Sequence, residues 1–101
     1  MPEVQKIACV NEGAFVMRFD VEVDGQLRTS DTGNYPAGQT RVIDLGPLSD
    51  VKDGAALRPV VDVEGGKHDV KGGEVRFKEN GATATFEVKG TTLHPKIEPV
   101  G

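Results

Sequence analysis

The residue types best suited to chemistry gather in three places. In Asp20-Val21-Glu22-Val23-Asp24-Gly25, carboxylates alternate ahead of a glycine, and Asp31 falls at the twelfth position counted from Asp20. That order matches the opening of an oxygen-ligand calcium loop. Asp20, Glu22, Asp24 and Asp31 are therefore the candidate metal ligands, and calcium is the one candidate cofactor. A loop of this type also needs helical flanks and a bidentate Glu at its last position. Here apolar residues alternate through the ligand segment instead, and Arg28 stands where an oxygen would be wanted. The competing account is a solvent-facing acidic strand closed by an Asp-Gly turn, with no cofactor.

The second cluster is Asp62, Glu64, His68 and Asp69 around Gly65-Gly66. Imidazole and carboxylates together can bind zinc or act as acid and base, so a small hydrolase or metal-dependent enzyme using the His68 loop is one functional alternative. No HExxH accompanies the cluster, and His94, before Pro95, has no carboxylate nearby until Glu98. Ser30 and Ser49 lie outside any GxSxG elbow, and neither GxGxxG nor GxxxxGK[ST] occurs. Cys9, in Ile7-Ala8-Cys9-Val10, reads as a small buried hydrophobe rather than an activated thiol. No residue is assigned a catalytic role.

The third place is the turn-rich stretch Thr32-Gly33-Asn34-Tyr35-Pro36-Ala37-Gly38-Gln39. Tyr35 offers a flat amphipathic contact, while Asn34 and Gln39 offer amides to a ligand's polar groups. Asn34, Tyr35 and Gln39 are thus the candidate ligand-binding residues of a non-enzymatic binding or interaction module. The partner would be a protein or a carbohydrate. An edge strand is the other candidate contact surface. On the structural account of the same loop, Tyr35 covers one end of the domain and Pro36 stiffens it. A structural or assembly protein is the third functional alternative.

Composition narrows the partners. The chain has 101 residues with 16 acidic and 12 basic side chains, a formal net charge of −4. Without a Lys/Arg cluster, and with one tyrosine and no tryptophan, neither a phosphate groove nor a base-stacking platform is expected, so nucleic acid is excluded as a partner. No apolar run is long enough for a membrane-spanning helix, and Met1-Pro2-Glu3 does not begin a basic-then-apolar leader. A lone cysteine permits no internal disulfide and fits a reducing compartment. The expected location is the cytoplasm, the alternative being a secreted chain already freed of its leader.

The elements that must position these groups read as strands. From Ala14 to Val23, Phe15, Met17, Phe19, Val21 and Val23 share one face, against Arg18, Asp20 and Glu22 on the other. That is the period of a half-buried strand. Further strands are expected at 4–10, 26–30, 40–45, 55–63 and 91–98. Pro59 and Pro95 mark edges or bulges, and Ser49–Asp53 has room for one helical turn at most. Glu74 to Val88 reads as a hairpin with Asn80-Gly81 in a type I′ turn, pairing Phe77 with Ala84 and Val75 with Phe86. Seven or eight short strands without a convincing helix predict one all-β domain over residues 1–101. Its form is a small two-sheet antiparallel β-sandwich, immunoglobulin-like or a related Greek key, with a small β-barrel as the alternative. Phe19 and Phe86 are expected in its core.

Overall fold

The computed structural model describes residues 2–100 and is all-β, with no helix among the described residues. Its strands are β1 (Glu3–Asn11), β2 (Met17–Val23), β3 (Leu27–Arg28), β4 (Thr40–Asp44), β5 (Ala56–Val63), β6 (Val70–Lys71), β7 (Val75–Phe77), β8 (Ala82–Thr91) and β9 (His94–Pro99). They run in the order β3-β2-β5-β7-β1-β8-β9, with β4 added to β1 and β6 added to β5.

Two strands organise this order by pairing along both edges. Strand β5 carries β2 along one edge, while β7 and β6 share the other. Strand β1 carries β8 along one edge, while β7 and β4 share the other. The short β7 therefore joins a β3-β2-β5-β6 layer to a β4-β1-β8-β9 layer. The result is sandwich-like, and the sheet does not close into a barrel. The expected sandwich holds, but the pairing is mixed: β1 runs parallel to both β7 and β8.

The core follows from alternation. Met17, Phe19, Val21 and Val23 are buried on β2, and Leu57, Pro59, Val61 and Val63 on β5. From the other layer Val4, Ile7, Cys9, Phe86 and Val88 join them in one apolar cluster. Register shifts between Val4 and Lys6. The extra residue, Gln5, lets Val4 and Ile7 both reach the interior although their spacing is odd. Phe19 and Phe86 are 1% and 2% exposed, as expected. Each such side chain contributes roughly 1.5–3 kcal/mol on burial. On the outward face of β5, Val60 is also buried, between Asp20 of β2 and Lys71 of β6. Arg28–Asp20 and Lys71–Glu22 ion pairs, both 2.8 Å, lie across that face.

The expected Glu74–Val88 hairpin does not form. Phe77 is aligned with Val4 on one edge of β1, and Ala82 with the same Val4 on the other. Strand β1 thus lies between the two segments expected to pair, and Lys78 to Gly81 carries the chain across it. The Lys78 amide donates to the Val4 carbonyl at 2.9 Å, and the Asn80 amide to Gln5 Oε1 at 2.8 Å. Asn80 has φ 63°, but Gly81 is not left-handed, so the type I′ turn is absent. That pair of left-handed residues occurs instead at Asp24 (φ 51°) and Gly25 (φ 69°), between β2 and β3. The apolar run Ile7-Ala8-Cys9 needs partners on both edges, and satisfying it outweighs the local turn preference. Likewise Ser49–Asp53 lies in consecutive turns rather than a helical turn.

Candidate functional site

The 32–39 loop is sewn to the edge of β2 and to the end of β1. Tyr35 and Met17 exchange backbone hydrogen bonds of 2.8 and 3.1 Å, and Thr32 donates to the Phe19 carbonyl at 3.0 Å. Tyr35 is fully buried and its hydroxyl donates to the Cys9 carbonyl at 2.8 Å. Arg41 lies over its ring, 5.4 Å from the centroid. The expected surface contact through Tyr35 is thereby corrected: its aromatic area is spent on the interior, and burial pushes its hydroxyl pKa up. Asn34 and Gln39 remain exposed on either side, with Asn34 Nδ2 donating to Glu64 Oε2 at 3.1 Å.

A residue that sequence reasoning passed over anchors this loop. Besides the Tyr35 hydroxyl, Asn11 is the one buried polar side chain among the described residues. Its Nδ2 donates to the Phe15 carbonyl at 2.8 Å and the Tyr35 carbonyl at 3.2 Å, while its Oδ1 accepts from the Gly13 amide at 3.1 Å. Buried amides persist where each polar atom is satisfied. The available signal was Asn11 two residues before Gly13, the spacing of an Asx turn.

The four candidate calcium ligands have separate partners. Asp20 takes a two-pronged contact from Arg28 at 2.8 and 2.9 Å, and Glu22 holds Lys71. Asp24 accepts from the Ala56 amide at 2.8 Å. Asp31 accepts from the Gly33 amide at 2.8 Å and faces Arg18 at 3.7 Å. Among the described residues no three His, Cys, Asp or Glu gather as a metal-holding group. In the His68 cluster, Nδ1 lies 3.8 Å from Asp62 Oδ1, and Asp62 also accepts from the Asp69 amide at 2.7 Å. The His68 side chain is 62% exposed. Cys9 is buried as expected, and desolvation raises its thiol pKa.

The sheet edges differ from one another. Val100 donates to the Thr85 carbonyl at 2.9 Å, so alternation turns the nitrogens of Pro95, Ile97 and Pro99 away from β8. Two of those three outward positions lack an N–H, which blunts β9 as an edge. The β8–β9 ladder runs from Thr91↔His94 to Phe86↔Pro99. Beyond the Thr85–Val100 bond, among the described residues, the outward main-chain groups of Thr83 have no strand beside them. An apolar cleft of about 500 Å³ opens at that spot, where β7 and β8 part around β1. Val4, Val75, Ala84, Phe86, Pro99 and Val100 line it, and among the described residues Glu74 is its only charged one. Sequence reasoning missed this cleft because it depends on β7 and β8 being separated.

No protein-family profile and no curated protein matches the chain. Solved structures do match in fold. Listeriolysin O aligns with TM-score 0.56 and 20% identity, over 94% of this chain and 22% of its own. A disulfide-locked intermedilysin, solved with human CD59, aligns at 0.52 and 18%, over 94% and 23%. Pneumolysin, described as a sugar-binding protein, aligns at 0.52 and 16%, over 94% and 22%. At these identities the likeness is one of fold, and this chain spans less than a quarter of each of those proteins. Intermedilysin is a human-specific toxin. The cytoplasmic expectation gains no support from such neighbours.

Proposed function

We propose that this domain is a non-enzymatic interaction module that takes an extended segment of a protein partner beside Ala82–Thr85 of β8. The carrying observation is the coincidence of a strand position, Thr83, that has no strand beside it among the described residues, with an apolar cleft. Strand addition uses main-chain hydrogen bonds for affinity and pockets for alternate side chains for specificity. Thr83 supplies the first, and the cleft over Val4, Val75 and Phe86 supplies the second. Its volume lies within the roughly 300–1,000 Å³ usual for ligand sites. The fold likeness to intermedilysin, solved with human CD59, supports a protein as the partner class and a location outside the cell.

The test is a random peptide library displayed on phage and panned against the folded domain. The proposal expects peptides with apolar residues at alternate positions that perturb the Thr83 and Thr85 amide resonances. N-methylating the peptide amides that face β8 should abolish binding while leaving the side chains unchanged. Undiminished binding by the N-methylated peptide, or binding that perturbs only distant residues, overturns strand addition.

A carbohydrate reading has its own support in the exposed Asn34 and Gln39 amides on an anchored loop, and in the fold likeness to pneumolysin. A glycan array separates the two. Saturable sugar binding that is lost in N34A would move the contact from β8 to the loop.

A further inference from the structure

Strand β4 presents a further unguarded edge. Leu45 donates to the Gln5 carbonyl at 2.9 Å and Asn11 to the Gln39 carbonyl at 3.0 Å. These bonds assign the odd-numbered residues of the segment to β1. Thr40, Val42 and Asp44 therefore turn their N–H and C=O groups outward, and among the described residues β4 pairs with no strand but β1. Five consecutive pairs join β4 to β1 without a register shift, so no bulge twists the edge away. No proline interrupts it, in contrast to β9. Val42 on this edge is 54% exposed.

We infer that β4 is a self-association edge, where two copies of the chain pair β4 against β4 antiparallel about a two-fold axis at Val42. The register follows from charge and hydrogen bonding. In an antiparallel ladder, outward residues oppose outward residues, so the symmetric choices centre on any one residue from Thr40 to Asp44. Centring on Arg41 would set two guanidinium groups face to face, and centring on Ile43 would set Val42 opposite Asp44 and Thr40 opposite Gly46. Centring on Asp44 would set two carboxylates face to face, which is destabilising. Centring on Thr40 would place Val42 opposite Gly38 and leave Asp44 beyond the ladder. Centring on Val42 uses all three residues. Val42 meets Val42 of the second copy, continuing the apolar Ala8–Val42 pair across the axis, and each Thr40 hydroxyl faces an Asp44 carboxylate. Arg41 then opposes Ile43, so no like charges are directly opposite. A contact through one short strand falls well below the roughly 1,200–2,000 Å² of a stable interface. The association is accordingly weak and concentration-dependent. It is independent of the β8 cleft, and loss of either reading leaves the other standing.

Sedimentation equilibrium from micromolar to millimolar protein tests this directly. The weight-average mass should rise from 10.8 kDa toward twice that value. V42K, which opposes two ammonium groups at the axis, should weaken the dimer by about tenfold or more. L93K, at an apolar residue exposed elsewhere (60%), should leave association at the wild-type level. The V42C variant should form a symmetric covalent dimer on oxidation, since Cys9 is buried and does not compete. A wild-type mass that stays monomeric at millimolar concentration overturns the inference, and so does V42K associating as strongly as wild type. So does L93K abolishing association.

Discussion

Gly81 passes directly over Val4. A Cβ on Gly81 would lie 3.1 Å from Val4 Cα, 2.9 Å from the Glu3 carbonyl oxygen and 2.8 Å from that of Lys78. All three are backbone atoms, which cannot swing aside. This close approach lets the chain step from one edge of β1 to the other, and so it creates both the mixed sheet and the cleft beside β8.

G81A should therefore destabilise the domain by about 1–3 kcal/mol, the usual cost of overpacking. G73A, where an added Cβ meets nothing within 4 Å, should fall within about 0.5 kcal/mol of wild type. Urea denaturation of the two variants checks the contrast. Equal losses would remove the close crossing as the reason for glycine at position 81.

Y35F should cost about 0.5–1.5 kcal/mol, since it removes the hydroxyl's hydrogen bond to the Cys9 carbonyl, which keeps its ladder partner Arg41. The ring itself stays in place. Thermal melting reads the loss, and an unchanged melting temperature would mean that water reaches that carbonyl.

F19A and F86A should each cost about 3–5 kcal/mol, because both side chains are almost fully enclosed in the shared cluster. Chemical denaturation is the measurement. A loss below about 1 kcal/mol at either site would contradict the packing of the two layers.

The Glu22 carboxyl is held below its ordinary pKa, first by its hydrogen bond to Lys71 and then by the charges of Lys71, Arg58 and Arg28. A depressed acid contributes stability that is present above the unfolded value, about 4.3 for Glu. That stability is lost as pH falls through the lower folded value. E22Q should thus melt with a flatter pH dependence on the acid side, with the difference from wild type vanishing at the lowest pH. Melting curves collected from neutral to acid pH check the sign. A wild-type curve that steepens above pH 5, outside the range of any depressed carboxylate, would assign the effect elsewhere.

The sandwich and most of its strands were legible because alternation is a local property. In Met17–Val23, burial alternates as the residue types do, and Asp24-Gly25 turns the chain where an Asp-Gly pair is expected to. Asn80-Gly81 carries the same local signal, yet its partners were decided by β1, more than seventy residues away in sequence. The candidate sites divide in the same way. That Asp20, Glu22 and Asp31 are charged is written in the chain, but Arg28, Lys71 and Arg18 claim them only once β3, β2, β5 and β6 line up in one layer. Tyr35 could be read as a ligand contact or a plug, and the hydrogen bond to Cys9 settled it as a plug.

By itself, then, the sequence determined the all-β class, the inward face of β2 and the burial of Phe19, Phe86 and Cys9, since each depends on side-chain period and apolarity. Only the tertiary structure decided which edges remain open. Pairing between distant strands lays β1 between β7 and β8, leaves Thr83 without a strand beside it among the described residues and turns Val42 outward. Those are free energies of non-local contact, and no window of neighbouring residues contains them.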